Sequence, residues 1–270
     1  MAINYASKYA QKIDEKFSRE ALTDQAVNKD YDFVGVKTVN VYSIPTAKMN
    51  DYSRTGENRY GTPEELQNTV QELTLSKDRS FTFSIDRGNH DDTQMSSAAG
   101  AALQRQLREV VIPEIDQYRL GKMAATASAT AEITAKNAYD AFLDGTSAMI
   151  NAMVPAEDCT AFVSSAFYKL IKTDSSFVRN GDASQAMLVK GQVGMIDGIR
   201  IIAVPDSLMP KNTAFIIAAK SATVSPVKLS EYKIHDNPPG INGWLVEGRV
   251  YYDAFILNNK KTGIYVHKTA

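Results

Sequence analysis

The stretch DDTQMSSAAGAALQRQLREVVIPEIDQYRLGKM, residues 91–123, carries the longest periodic pattern in the chain. Apolar side chains recur three or four positions apart, which predicts one amphipathic helix of about 30 residues, well above the average length. These side chains are Met95, Ala99, Leu103, Leu107, Val110, Val111, Ile115 and Tyr118. Residues 91–93 can cap its beginning. Because Pro113 lacks a backbone N–H, we expect it to kink or split the helix.

Two strands are predicted ahead of this helix. Alternating apolar and polar residues indicate a strand at 33–41 and another at 81–85. Between them, residues 45–72 are rich in Gly, Pro, Asn and both signs of charge, so they have little to bury. Loops of this length are uncommon in compact domains and are usually functional or disordered. We therefore expect the two strands to pair as a long hairpin whose extended loop lies on another molecule.

The chain begins with a predicted amphipathic helix over residues 4–20. Tyr5, Tyr9, Ile13 and Phe17 are four positions apart and form one apolar face. Basic and acidic side chains are balanced around this face, which disfavours an arm that binds DNA through charge. The helix would pack either on its own domain or on a neighbouring subunit.

Short elements of both kinds follow the long helix, which predicts a mixed α and β unit. After a turn or loose connection at 124–131, helices are expected at 136–153 and 165–172, and strands at 160–164, 187–189, 194–196, 199–204 and 214–219. The end of the chain predicts strands at 244–247, 249–257 and 264–268. The turn at 258–263 favours a terminal hairpin with a loop of about six residues.

Charge and composition argue against a protein that grips DNA or enters a membrane. The net charge is −1, from 30 basic and 31 acidic residues, so no dominant basic face is expected for duplex binding. The longest apolar runs fall far short of the roughly 20 residues that span a bilayer, and the first residues lack a secretory signal's apolar core. A lone Cys159 excludes an internal disulfide framework, which suits a protein made and used in cytoplasm.

Motifs for catalysis or cofactor binding are missing from the sequence. His90, His235 and His267 are far apart and have no cysteine near them, so a zinc site is not supported. A phosphate-binding loop, a nucleophile elbow and a dinucleotide fingerprint are all absent. Cys159 precedes an apolar run and is expected to be a buried structural thiol. We predict no catalytic residue, no cofactor and no metal site.

Three stretches of sequence and the order of the predicted elements resemble one protein family. The stretches are residues 3–17 with VGVKTV at 34–39, YGTPEE at 60–65 before 73–86, and VGMIDG at 193–198 before 199–205. Together they resemble the Hong Kong 97-type major capsid (coat) proteins of tailed bacteriophages and prophages. The resemblance covers essentially the whole chain and is one of element order and character.

The resemblance implies an α+β, Hong Kong 97-like capsid fold in five parts. These are an N-terminal arm (1–32), an extended-loop hairpin (33–86), the spine helix of a peripheral domain (87–125), a mixed axial domain (126–237) and return strands of the peripheral domain (238–270). The loop, about 44–77, would lie over a neighbouring subunit.

The same resemblance implies a structural protein and not an enzyme. It would self-assemble as hexamers and pentamers into an icosahedral virion capsid around double-stranded DNA, without sequence-specific binding, in the host bacterial cytoplasm. The segment before the first predicted strand is short, so a separate scaffolding protein is expected, together with a portal. Candidate contacts between subunits are Tyr5, Tyr9, Ile13, Phe17, Tyr52, Arg54, Glu57 and Arg59.

A covalent crosslink and two alternative functions stay open at this point. Lys48 and Lys77 lie in or beside the loop, but nothing identifies an asparagine partner for a covalent crosslink between subunits. An encapsulin-like nanocompartment shell would enclose cargo enzymes instead of DNA. A soluble α/β enzyme with an unrecognised site is the alternative of another class.

Overall fold

The computed structural model describes residues 21–31, 33, 37–88, 98–126, 129–134, 136–174 and 194–269. The α-helices within these ranges are α1 Ala98–Gln106, α2 Ile112–Ala124, α3 Ala138–Asn151 and α4 Ser165–Thr173. A π-helical turn, Leu107–Val111, joins α1 to α2, and 3-10 turns lie at Asp24–Ala26, Ala156–Asp158 and Asn258–Gly263. None of the described helices is both long enough and apolar enough to cross a bilayer.

The strands in the described ranges form four sheets. Their bounds are β1 Thr38–Ser43, β2 Thr69–Thr74, β3 Lys77–Asp86, β4 Ala129–Thr130, β5 Cys159–Ser164, β6 Met195–Ile196, β7 Ile199–Val204, β8 Thr213–Ala219, β9 Thr223–Val224, β10 Val227–Asp236, β11 Gly243–Tyr252, β12 Phe255–Ile256 and β13 Ile264–Lys268. The sheet orders are β1-β2, β10-β11-β3, β12-β9 and β4-β13-β8-β5-β7-β6. Helices combined with mainly antiparallel sheets give the predicted α+β class.

The six-stranded sheet contains the larger apolar core. Its inner strands β5 and β8 are buried along their whole length, so their sequences are continuous apolar runs instead of alternating ones. The Phe215 ring of β8 lies 5.6 Å from Phe142 of α3 and 4.7 Å from Phe167 of α4. One aromatic cluster thus fastens both helices to the sheet.

The spine helix, residues 98–124, comprises α1, the π turn and α2. Its N-terminal part packs across one face of the three-stranded sheet, where the buried residues are Leu103, Leu107, Ile115, Tyr232, Val246, Val250 and Tyr252. The opposite face of that sheet is polar, and there Arg249 donates two hydrogen bonds to Asp78, at 2.9 and 2.6 Å. Such a sheet, with one apolar face, explains the alternating pattern that predicts β3.

Pro113 lies just after a wider turn in the spine helix, and the helix continues through it. The Ile112 N–H donates to the Leu107 carbonyl, five residues back. A proline ring clashes with the carbonyl four residues earlier, and the π turn relieves that clash. Val110 is 45% exposed, at the groove between the helix and the edge of the sheet, so its place in the predicted apolar stripe is wrong. The predicted beginning of the helix, 91–97, lies outside the described residues.

The predicted long hairpin exists, but its second arm is a different strand. β1 pairs antiparallel with β2 along the full length of both strands. β3 contains the predicted strand 81–85 and pairs with β11, so the predicted pairing of 81–85 with 33–41 is wrong. The chain passes from one sheet to the other at Ser76, whose amide and hydroxyl both donate to the Asp253 carboxylate. Residues 34–36 lie outside the described ranges.

The predicted terminal hairpin is also wrong. β11 runs unbroken through Gly248, and β13 pairs with β8 and β4 instead of with the strand before it. The sequence patterns do not predict β10, which forms the other edge of the three-stranded sheet. Both large sheets therefore take strands from either side of the predicted boundary at 237/238.

The other predicted elements agree with the structure within two residues at either end. They are the helices at 136–153 and 165–172 and the strands at 160–164, 194–196, 199–204, 214–219 and 264–268. The connection predicted at 124–131 includes β4. The strand predicted at 187–189 lies outside the described residues.

Gly248 should not tolerate a side chain, although it lies inside a strand. It is opposite Phe81 of β3 and Tyr232 of β10, whose rings stack at 6.2 Å across it. A Cβ at this position would overlap the Phe81 ring and lie 2.9 Å from the Tyr232 ring. We expect Gly248→Ala to lower the free energy of unfolding by about 1–3 kcal/mol in urea denaturation.

Gly121→Ala is the matched control for this substitution. Gly121 is exposed in α2, and an added Cβ there meets no atom within 4 Å. The same methyl group should raise the free energy of unfolding by about 0.5–1 kcal/mol, because alanine favours a helix. Equal effects at both positions would contradict the packing described for Gly248.

His267 of β13 is a buried base that should make stability depend on pH. The residue is 4% exposed, and its ring stacks on Phe215 at 5.2 Å. Neither ring nitrogen has a hydrogen-bond partner of good geometry among the described residues. Burial lowers the pKa of His267, and the Ala131 backbone and the Asp144 charge oppose that shift without cancelling it.

The unfolded chain therefore takes up this proton more readily than the folded protein does. Below about pH 6.5 the free energy of unfolding should fall, because the unfolded state then binds more protons. We expect His267→Phe to reduce the loss measured by urea denaturation between about pH 7.5 and pH 5. His235→Phe, which changes an exposed ring paired with Glu247, should not reduce it. An unchanged loss in His267→Phe would refute the assignment.

Candidate intersubunit surface

The root of the β1-β2 hairpin is held firmly to its own subunit. The Gln71 side chain donates to the Ile256 carbonyl at 2.9 Å and accepts from the Asn258 amide at 2.8 Å. Leu73 and Leu75 are buried in a small apolar core with Phe33, Val224 and Leu257. This core and the side-chain bridge fix the position from which the hairpin leaves the subunit.

Beyond this root the connection from β1 to β2, residues 44–68, is exposed at every position except the half-buried Gly61. Large apolar side chains are among the exposed ones, notably Ile44, Met49, Tyr60 and Leu66. Met49 is 97% exposed and Tyr60 is 85% exposed. Apolar groups gathered in a segment without a core of its own indicate an interaction surface.

The hairpin tip, residues 50–61, is folded on itself. The Ser53 amide donates to the Arg59 carbonyl at 3.0 Å, and the rings of Tyr52 and Tyr60 meet edge to face at 5.0 Å. Asn58 has a φ of +53° and Gly61 a φ of +92°, which allows the chain to reverse twice. A loop with its own internal contacts loses less conformational entropy when it binds.

The structure brings four of the predicted contact residues together at this tip. Tyr52, Arg54, Glu57 and Arg59 are exposed there, and Arg59 donates to the Gly56 carbonyl at 3.3 Å. No ion pair is found for the three charged side chains among the described residues. The other predicted contacts, Tyr5, Tyr9, Ile13 and Phe17, lie outside those residues. The Tyr52–Tyr60 contact was not predicted. Two aromatic residues in an otherwise polar loop are the signal that could have suggested it.

The N-terminal segment, residues 21–28, is anchored on the spine helix by buried polar groups that the sequence patterns do not reveal. The Asp116 carboxylate accepts from the amides of Leu22 and Thr23, at 2.9 and 3.3 Å, and from the Thr23 hydroxyl at 2.5 Å. Arg119 donates to the Thr23 hydroxyl at 3.1 Å and to Asp24 at 3.2 Å. Burial lowers the pKa of Arg119, although the charges of Asp24 and Asp116 oppose that shift.

Asp253 anchors the hairpin root next to this cluster. Its carboxylate accepts from Ser76 at 2.7 and 2.8 Å, from the Tyr118 hydroxyl at 2.7 Å and from the Ala254 amide at 2.8 Å. Burial and then the bond to Asp253 raise the pKa of Tyr118, so its hydroxyl stays a donor. Ser225 connects the two anchors, because it accepts from Arg119 at 2.7 Å and donates to the Asp253 carbonyl at 3.0 Å.

The cysteine and the described histidines show no arrangement that suggests catalysis. Burial raises the pKa of the Cys159 thiol to about 11, which keeps it protonated at neutral pH. His235 bonds Glu247 at 3.1 Å on the polar sheet face, and His90 lies outside the described residues. Within the described part of the chain, no three metal-ligating side chains come together.

Comparison with known proteins shows which family the chain belongs to. A family model described as phage capsid protein matches residues 70–266. The chain belongs to this family. As a phage capsid protein it is a structural subunit that assembles with itself into a shell, and its place is the virion capsid.

Solved structures place this capsid protein in the Hong Kong 97-like fold. A chain of Mycobacterium phage Che8 superposes with a TM-score of 0.69 and 17% identity, covering 91% of this chain and 90% of that one. The capsid of cyanophage P-SCSP1u gives 0.70 and 11%, covering 91% and 86%. The virus-like particle from Pyrococcus furiosus gives 0.61 and 10%, covering 98% and 100%. No curated protein sequence matches the chain.

Gly61→Ala should open the hairpin tip of the capsid protein without unfolding the subunit. A Cβ on Gly61 would overlap the Asn50 side chain, and its φ disfavours any other residue. We expect trypsin to cleave after Arg54 and Arg59 faster than in the wild type. The free energy of unfolding should stay within about 0.5 kcal/mol, because the tip contributes no core. Wild-type cleavage rates would contradict the folded tip, and Gly121→Ala serves as the control.

Proposed function

We propose that this capsid protein forms hexamers and pentamers that close into an icosahedral shell around double-stranded DNA. The exposed segment 44–68 carries the proposal. Its root is anchored, its tip is folded, and it displays Met49 and Tyr60 to solvent in a single subunit. Covering these side chains with a neighbouring subunit would remove apolar area from water, at roughly 25 cal/mol per Å².

The surface for this contact on the neighbour is proposed to be the groove beside the π turn. It has a volume of about 240 Å³ and lies between the spine helix and the free edge of β3. Phe81, Val110, Val111 and Ile115 give it an apolar lining, and the Arg79–Glu114 ion pair forms its rim. Exposed ion pairs contribute about 0–1 kcal/mol each, so buried area repeated around the shell must hold it together.

The two large sheets suggest two domains within the subunit. We assign the three-stranded sheet and the spine helix to a peripheral domain, and the six-stranded sheet to an axial domain around the local symmetry axes. β10 then belongs to the peripheral domain and β13 to the axial domain, unlike the boundaries expected from sequence. Small rotations between the domains would let one sequence occupy quasi-equivalent positions.

We propose that the shell encloses DNA without binding it tightly. A net charge of −1 provides no excess of cations for tight contact with phosphate groups. We also propose a separate scaffolding protein and a portal as assembly partners, and assembly in the cytoplasm of the bacterial host.

A nanocompartment shell that encloses enzymes is the second candidate. The full-length match to the virus-like particle from Pyrococcus furiosus supports it as far as the fold goes. The contents of particles purified from cells distinguish the two candidates. Nuclease-resistant double-stranded DNA supports the phage shell, and a co-purified enzyme without DNA supports the nanocompartment.

Shortening the hairpin tests the role of the loop in assembly. We expect a variant in which an Asn-Gly turn replaces residues 46–66 to fold with wild-type stability, because the deleted segment contributes no core. Negative-stain electron microscopy should show uniform polyhedral particles or free hexamers for the full chain, and neither for the variant. Circular dichroism and urea denaturation verify the fold.

Tyr60→Ser is the milder companion, because it leaves the length of the loop unchanged. It should reduce the yield of particles, while Gly121→Ala should not. Particles of wild-type yield from the shortened variant would refute the role of the loop. A full chain that stays monomeric under all conditions, with or without a scaffolding protein, would refute shell formation.

A further inference from the structure

The N-terminal segment and the root of the hairpin share one partly buried hydrogen-bond network. It consists of Thr23 and Asp24, Asp116, Tyr118 and Arg119, Ser225, Asp253 and Ser76. These residues come from five parts of the chain that are far apart in sequence. Nothing in the assignment to the capsid family requires the segment and the hairpin to be connected in this way.

The N-terminal half of the network depends on residues 22–24. All the hydrogen bonds found for the Asp116 carboxylate come from Leu22 and Thr23, and Asp116 is 1% exposed. Displacing the segment would leave a buried carboxylate without these donors and would take Thr23 and Asp24 away from Arg119. A buried charge that loses its partners is strongly destabilising, so Arg119 would have to move toward a new partner.

Movement of Arg119 would affect the hairpin root through the hydrogen bonds of Ser225. The Ser225 hydroxyl is held between Arg119 and the Asp253 carbonyl, so its donor direction depends on Arg119. Asp253 in turn holds Ser76, through both its amide and its hydroxyl, at the point where β2 gives way to β3. Tyr118, one residue before Arg119 in the spine helix, binds the same carboxylate.

We propose that this network is a latch in which displacement of residues 22–24 from the spine helix loosens the root of the hairpin at Ser76. The proposal rests on the proposed function only for the agent of displacement, a second copy of this chain that engages residues before Leu22. The coupling itself belongs to the single subunit. Because such coupling is reciprocal, loosening the hairpin root must also loosen residues 22–24.

Hydrogen exchange of the full-length, unassembled protein tests the latch. The Ser76 amide donates to Asp253, and the Leu22 and Thr23 amides donate to Asp116, so each end has its own reporter. We expect Thr23→Val to speed exchange at Ser76 about fivefold, the loss of roughly one hydrogen bond's net contribution. Thr23→Ser keeps the hydroxyl and should restore the wild-type rate.

The reciprocal variant and a control complete the design. Ser76→Ala should speed exchange at Leu22 and Thr23. Arg79→Gln breaks an exposed ion pair between β3 and the same helix, outside the network, and should change neither reporter. Amides of Phe162 and Val163 in β5 must keep their wild-type rates, which excludes global unfolding as the cause.

Two outcomes would overturn the latch. One is wild-type exchange at Ser76 in Thr23→Val, while Asp253→Asn, which weakens the local anchor, speeds it. The other concerns the double variant with Thr23→Val and Ser76→Ala. There, exchange rates raised by the product of the two single-variant factors would indicate independent sites, because the effects of coupled sites do not multiply. Neither outcome bears on whether shells form, and failure of shells to form would leave the coupling intact.

Discussion

Three buried charged side chains, on the spine helix and beside the hairpin root, fix how distant parts of this subunit meet. Asp116, Arg119 and Asp253 are each 1% exposed, and a charge buried without partners costs several kcal/mol. Their partners come from the N-terminal segment, from Ser225 and from the root of the hairpin, so these parts of the chain must meet at the spine helix. The positions of the N-terminal segment, residues 21–28, and of the hairpin root follow from that requirement.

Stability comes mainly from the apolar cores on either side of the network. A buried ionic network adds little stability over apolar packing of the same volume. Its main effect is to fix the positions of the segments that it joins. The six-stranded sheet has the aromatic cluster around Phe215, and the three-stranded sheet is covered by Leu103, Leu107 and Ile115. The spine helix contributes to both cores and carries the network between them, which makes it the common support of the subunit.

The hairpin, in contrast to these cores, is buried only at its root and is exposed toward its tip. Leu73 and Leu75 are almost completely buried at its root, whereas Met49 near its tip is almost completely exposed. The folded tip, with its Tyr52–Tyr60 contact, holds a shape without any core beneath it. A subunit built to be part of a shell can expose such a segment, because the single chain is not its final environment.

Local sequence patterns by themselves determined three features: periodicity predicted the spine helix, short apolar runs predicted the buried strands at 160–164 and 199–204, and polar composition predicted the long exposed loop. These patterns depend only on neighbouring residues. The tip residues Tyr52, Arg54, Glu57 and Arg59 were proposed as contacts only through the resemblance to capsid proteins. Only the tertiary structure decided that β3 pairs with β11 and that β13 joins β8, since strand pairing selects among segments far apart in sequence. It also decided that Asp116 and Arg119 are buried. On an amphipathic helix such residues indicate a solvated face, and only the arrival of a distant segment with matching donors and acceptors makes their burial possible.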